Sequence, residues 1–481
     1  MLGKVHHLSS NIPYSNLHYS ISLKMVQVPV MKAPSTGVVG DKPWALPPHP
    51  SWKIINAKLI DPVEGKVLEN AEITIVNGKF TSVVTGQGSA STPAVESGSM
   101  KVVDVQGKYV CPGLVDGHVH VTATPGEADL KSTYKNIPAS MNNFRTTFLA
   151  KEMLQRGFTT ARDCGGADGS LKDAIEEWLI PGPRLLIAGH ALSQTGGHGD
   201  QRSFFNDEDP TLKCCAGHRS GIGRLCDGVT ECSVAVRDEI RKGADFIKIM
   251  GGGGVASRLN NLGHQQFLDE EIQAITKTAA SFDTYVTAHA YTVRAMRHMI
   301  NNGVLGIEHG NFIDRELALE MAEKGIYMTP TLVTHDAMTI PPYDKFLNDK
   351  CAEKNRQVLG SGLQALKIAY DAGVTVCFGS DLIAGMHQFQ KREFTLRSSV
   401  LPALAIFRSV TTNCAKMLRM EDQIGQVKEG FLADLIVLEK NPLEDITVLD
   451  DKSNLQAVVK DGYVALSKLS DLEVNINREP W

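Results

Sequence analysis

Between residues 113 and 420, eight short β-type runs alternate with helical patterns, several of which close on glycine. The runs are 114–118, 159–163, 184–188, 246–250, 285–289, 306–309, 327–331 and 374–379. The helical pattern 145–156 ends at Gly157. Val293, Met296 and Ile300 recur at helical spacing before Gly303, as Leu363, Leu366 and Tyr370 do before Gly373. A glycine just past the last periodic residue is a helix stop signal. Eight such alternations predict an α/β chain folded as a (β/α)8 TIM barrel over 113–420. The stretch 190–232 is too long for a plain connection and is expected to be an active-site insertion.

The flanks of this region have a different texture. Short β-rich runs at 54–59, 71–76 and 80–84 are broken by Asp-Pro and Asn-Gly turn signals, and similar runs return at 434–438 and 455–460. Residues 51–112 and 421–470 are therefore predicted to pair into one small β-sandwich domain built from both chain ends. Residues 1–50 are expected to be a disordered extension. They contain no acidic residue before Asp41, no arginine, and no contiguous apolar stretch of the kind a secretory signal needs. Met25 offers an alternative start.

Bulk properties narrow the function classes. The net charge of −5 over 481 residues comes without a basic run or an aromatic–basic stripe, which argues against a nucleic-acid partner. No apolar run approaches the roughly 20 residues that span a bilayer, so no membrane span is expected. Nine cysteines make an odd, scattered set that reads as reduced thiols in a cytoplasmic protein. Cys214, Cys215, Cys226 and Cys232 cluster, but without the paired Cys-x-x-Cys spacing of structural zinc.

In a barrel of this kind the chemistry sits at the C-terminal ends of the strands. The first predicted strand runs into Gly113-Leu-Val-Asp-Gly-His-Val-His120. Residues two apart on a strand share a face, so His118 and His120 project together as a candidate ligand pair. Lys248 lies in the fourth strand; His289 and His309 end the fifth and sixth, and Asp381 follows the eighth. Any one of these residues alone has an ordinary reading, such as a hydrogen-bonded core histidine. Together, at five strand ends, they point to a metal centre.

Lys248 is the informative member. An ammonium repels divalent cations, and burying one unpaired is costly. A lysine condensed with carbon dioxide becomes an anionic carbamate able to bridge two metals. His118, His120 and Asp381 would hold one metal, and His289 and His309 the other. Imidazole and carboxylate ligands favour zinc. A hydroxide shared by the metals would attack a carbonyl carbon, with Asp381 moving the proton to the leaving amine.

This constellation resembles the amidohydrolase superfamily in its binuclear, carboxylated-lysine subtype. Three further stretches are similar to the prolidase-like (Xaa-Pro dipeptidase) and ochratoxinase-like group. They are Ala191-Leu-Ser-Gln-Thr-Gly-Gly-His-Gly-Asp200, Ile247-Lys-Ile-Met-Gly-Gly-Gly-Gly-Val-Ala-Ser-Arg258, and Ala288-His-Ala-Tyr-Thr292 with Glu308-His-Gly-Asn311. The resemblance covers about 52–465. It implies hydrolysis of dipeptides or N-acyl amino acids, and assembly into a homo-oligomer. Members of the group carry Tyr or His two places after the strand-five histidine. Here it is Tyr291, unlike the ochratoxinase-type His, and its phenol is placed to stabilise an oxyanion.

Two substrate contacts are expected. Arg258 follows four glycines and is a candidate clamp for a substrate carboxylate, with a plain surface arginine as the alternative. His198, on the insertion, is a candidate pocket residue, with solvent exposure as its alternative. His190 and His335 also lie near strand ends and stay unassigned. The competing functional reading is a deaminase or cyclic-amide hydrolase of the same barrel, imidazolonepropionase-like. Mononuclear enzymes of that kind lack the strand-four lysine. A barrel without catalysis is the third reading, and such proteins usually lose ligands.

Overall fold

The computed structural model describes residues 42, 44–86, 100–126, 137–200, 202, 221–258 and 260–476. Most of the expected N-terminal extension, residues 1–41 and 43, therefore lies outside the described residues, as do Cys214 and Cys215.

The chain begins its ordered run with β1 (Trp52–Asp61), β2 (Lys66–Val76) and β3 (Lys79–Val84), followed by β4 (Lys101–Asp104) and β5 (Tyr109–Pro112). The turn between β2 and β3 is Asn77-Gly78, with φ of 51° and 73°. Two successive left-handed residues match the twist of a tight hairpin, which explains the Asn-Gly signal. Strand β1 is bulged between Ile54 and Leu59, with Asn56 at φ 55°. The bulge splits its free edge: the first half pairs with β4 and the second with β5, both parallel.

Ten parallel strands follow: β6 (Leu114–Val119), β7 (Phe158–Asp163), β8 (Arg184–Ile187), β9 (Ala191–Ser193), β10 (Gly223–Leu225), β11 (Ile247–Met250), β12 (Val286–Thr292), β13 (Gly306–Phe312), β14 (Tyr327–Thr329) and β15 (Thr375–Val376). All eight predicted runs appear, with 327–331 shortened to three residues and 374–379 to two. Strands β9 and β10 inside the insertion were not anticipated. This is a TIM-barrel-like α/β fold, but ladder pairing does not close it. Strands β6-β7-β8 form one sheet and β10-β9-β11-β12-β13-β14-β15 another. Isolated backbone bonds cross the two seams. The Asp245 N–H donates to the Ile187 carbonyl at 2.8 Å. Across the other seam, Gly117 donates to Phe378 and Asp381 to His118, each at 2.8 Å.

The C-terminal flank returns as β16 (Leu435–Leu438), β17 (Leu455–Lys460) and β18 (Tyr463–Ser467). Strand β16 pairs antiparallel with β5, so strands from the two flanks meet in one sheet. The hydrogen bonds give a single eight-stranded sheet, ordered β18-β17-β16-β5-β1-β2-β3 with β4 beside β1. The two separate sheets of the expected sandwich are not what this pairing describes. The bulged β1 pairs with β2 on one side and with β4 and β5 on the other, which keeps these strands in one sheet. Trp52, Ile54, Ile75, Phe80, Leu435 and Val459 fill the core beneath it.

Seven described cysteines, Cys226 and Cys232 among them, are buried and unbridged. No helix among the described residues is long and apolar enough to cross a membrane.

Candidate active site

The strand ends of the barrel converge on a cavity of about 110 Å³. Its lining includes His118, His120, His198, Lys248, His289, Tyr291, His309 and Asp381. Eight of the nine residues singled out from the sequence are thus brought together. Arg258 is not: it is exposed and absent from the lining. Its loop is pinned from behind by the buried Lys354, whose ammonium donates to the carbonyls of Gly254, Ser257 and Asn260. The glycine run matters for another reason. A Cβ on Gly254 would lie 2.0 Å from the His198 ring, so only glycine lets that ring approach.

His118, His120 and Asp381 form a donor cluster, with one ligand atom from each lying within 4.8 Å of the others. Asp381 Oδ1 is 3.1 Å from His120 Nε2 and 3.4 Å from His118 Nε2. Each imidazole commits its other nitrogen elsewhere. His118 Nδ1–H donates to Glu308 at 2.7 Å and His120 Nδ1–H to the Gly165 carbonyl at 2.8 Å. His309 Nδ1 engages the Thr331 hydroxyl at 2.7 Å. Such outer partners fix the tautomer and leave Nε2 free, the arrangement found around metal-binding histidines. His289 is turned the other way: its Nε2 meets the Gly253 carbonyl at 3.2 Å, which leaves Nδ1. The His289 and His309 rings stand 4.7 Å apart.

Lys248 is 2% exposed, and no carboxylate lies within ion-pair distance of its ammonium among the described residues. That is an unstable place for an ordinary lysine and a fitting one for an anionic derivative. Burial, joined by the charge of Lys248, pushes His118 down to about 4. Burial alone would raise the Asp381 carboxyl, but His118, His120 and Lys248 hold it well below the usual range. Burial, then Asp381, pushes the Tyr291 phenol well above its usual value, so it is a hydroxyl donor at neutral pH.

Sequence reasoning missed Glu308. Alternation places it opposite His309, yet both side chains meet His118, whose ring lies 5.3 Å from that of His309. His309 sits at φ 75°, and this departure from strand geometry lets consecutive residues face the same interior. Glu308 also binds Arg162 at 2.5 Å and accepts from Thr287. Arg162 reaches the Gly117 carbonyl at 2.6 Å, tying the pair to the strand that presents His118. Glu308→Gln leaves Arg162 buried without its charge partner. The expected cost is about 3–5 kcal/mol of stability, read as a lower denaturation midpoint. An unchanged midpoint would dismiss the pair as a structural element.

The buried histidines make a second prediction. His198, like His118, is pushed down to about 4, mainly by burial. An unfolded chain binds these protons near pH 6.5. The unfolded state therefore holds more protons between about 6.5 and 4, and stability is lost as pH falls through that window. The metal-free protein should show a denaturation midpoint that declines on acidification there and is level just above it.

Comparison with known proteins agrees with this geometry. The amidohydrolase family model matches residues 109–465. Ochratoxinase from Aspergillus niger is 32% identical over 419 residues, covering 85% of each chain. A prolidase solved in complex with N-methylphosphonate-L-proline is 39% identical, with a TM-score of 0.80 over 86% of this chain and 99% of its own. A Xaa-Pro dipeptidase solved with bound methionine is 31% identical, with a TM-score of 0.75 over 86% and 99%. The chain therefore belongs to the amidohydrolase family and is a hydrolase acting on amide bonds.

Proposed function

We propose that the protein is a metal-dependent hydrolase of dipeptides or N-acyl amino acids. The observation that carries this reading is the convergence of His118, His120, Lys248, His289, His309 and Asp381 on one cavity beside Tyr291. His118, His120 and Asp381 would hold one divalent ion, zinc by its ligand chemistry, and His289 and His309 a second, with carboxylated Lys248 between them. When bound, the ions supply a deprotonated water at neutral pH and a Lewis acid for the carbonyl.

This chain's own groups do the rest. Tyr291 donates its O–H to the carbonyl oxygen as negative charge develops there. Asp381 accepts the proton of the attacking water on a carboxylate oxygen and delivers it to the amide nitrogen, which leaves as an amine. Apolar walls at Met250, Val255, Met338 and Ile383 take side chains and exclude water. The prolidase complex described above supports a substrate with a tetrahedral transition state next to an amino acid. The competing reading, a deaminase or cyclic-amide hydrolase, leaves the buried Lys248 without a role.

The test is a panel of dipeptides and N-acyl amino acids on zinc-loaded protein, with metal content measured alongside. Turnover with two metals per chain is expected. Inertness toward the whole panel would overturn the substrate class, and a single metal would sink the two-ion site.

A further inference from the structure

The cavity holds a histidine that none of these roles uses. His335 is 2% exposed and lies on the short helix Leu332–Ala337, just past the end of β14. Its Nδ1 is 2.8 Å from Asn355 Oδ1, and Asn355 Nδ2 donates to the His335 backbone carbonyl at 2.9 Å. The second bond fixes the first. A carbonyl only accepts, so the amide atom facing it must be the NH2 group. The other amide atom is then oxygen, also an acceptor, and His335 Nδ1 must carry the proton. Flipping the amide would set two oxygens against each other. His335 is buried and, among the described residues, faces no carboxylate within hydrogen-bond distance, so its ring is neutral and Nε2 is a bare lone pair.

That lone pair faces the Tyr291 hydroxyl at 3.5 Å. The phenol ring is held on its other sides by His309, stacked at 5.0 Å, and His289, edge-on at 4.9 Å. Among the described residues, His335 alone lies within hydrogen-bond distance of the hydroxyl. We propose that His335, locked as the Nδ1–H tautomer by Asn355, is a positioning residue that aims the Tyr291 O–H. At 3.5 Å the bond is long and weak, so it orients the O–H while leaving its hydrogen able to be shared with a substrate carbonyl. The hydroxyl keeps that orientation as charge grows on the carbonyl oxygen. No covalent bond is broken and no proton is transferred by His335.

This inference rests on Tyr291 being the oxyanion donor, and a double-mutant cycle separates the two ideas. The substrate is the panel dipeptide turned over fastest. His335→Phe keeps the ring and removes the acceptor. It is expected to lower kcat roughly tenfold, a fraction of the 10²–10³ lost when an oxyanion donor itself is removed. Metal content should not change. In a Tyr291→Phe background the same substitution should lower kcat by less than about twofold, because it acts through the phenol. His335→Gln restores an acceptor and should recover most of the loss. Asn355→Ala, which frees the tautomer, should lose in the same direction, and it serves as the probe if His335→Phe does not fold. Affinity for a phosphonate analogue of the dipeptide should drop in parallel with kcat/KM, and affinity for the product amino acid should not. Losses that multiply in the double variant would overturn the positioning role and leave Tyr291 intact. No effect of Tyr291→Phe alone would overturn the oxyanion reading itself.

Discussion

Asp381→Asn is expected to lower kcat by about 10²–10⁴-fold, the range a positioned acid–base group contributes. The substitution preserves shape and removes both the charge and the basic oxygen. The main chain around it is held independently: the Asp381 N–H donates to the His118 carbonyl, and Ser380 is tied to Asp116 through its N–H and hydroxyl. Asp381 also sits at φ 49°, a left-handed conformation that asparagine adopts readily. The backbone should therefore tolerate the change, and elemental analysis will separate lost ligation from lost proton transfer. Retained metal with a collapsed kcat marks Asp381 as the proton carrier. An unchanged kcat on every amide of the panel would remove it from the reaction.

Replacing Lys248 by Ala should abolish retention of both metals and nearly all activity. On the proposed reading the lysine amine would add to carbon dioxide, giving a carbamate and one released proton. Two consequences can be measured. Metal-free wild-type protein should regain activity with zinc only when bicarbonate is present, and should stay inactive in buffer stripped of carbon dioxide. The alanine variant should regain some activity when millimolar acetate or propionate is added, since a free carboxylate can enter the vacated space. Full zinc occupancy of the alanine variant without added acid would show that Lys248 has no part in ligation.

The barrel and its polar mouth were legible in the sequence because two signals coincide there. Glycine stops precede several of the strands, and histidine, lysine and aspartate mark the ends of five of the eight. What escaped was set by local departures from regular geometry. Strands β9 and β10 have three residues each, too few for a periodic pattern. Glu308 was hidden by alternation, which the left-handed His309 breaks. His335 was visible as a residue but not as a partner of Tyr291, because its role depends on Asn355, twenty positions away on another helix. Arg258 looked poised because it follows a glycine run, but position in the sequence does not say which way a side chain points: Val255 and Ala256 of the same loop line the cavity, and Arg258 is exposed. The shared texture of the two chain ends suggested that they meet, and β16 lies beside β5, yet texture carries no information on whether strands share one sheet or face each other in two.

The seam between the first and last strands of the barrel has a consequence for how the chain matures. Asp116 and Ser380, in contact there, are 264 positions apart, and the candidate metal cluster straddles the same junction. Closing so long a loop is late and slow compared with forming any one βα unit. During synthesis, His118 and His120 emerge long before Asp381 exists. A nascent or truncated chain ending before residue 381 thus has no complete pocket in which to trap an ion. Zinc uptake should accordingly be a timestamp of finished folding, appearing only after the last strand docks and never in a burst beforehand.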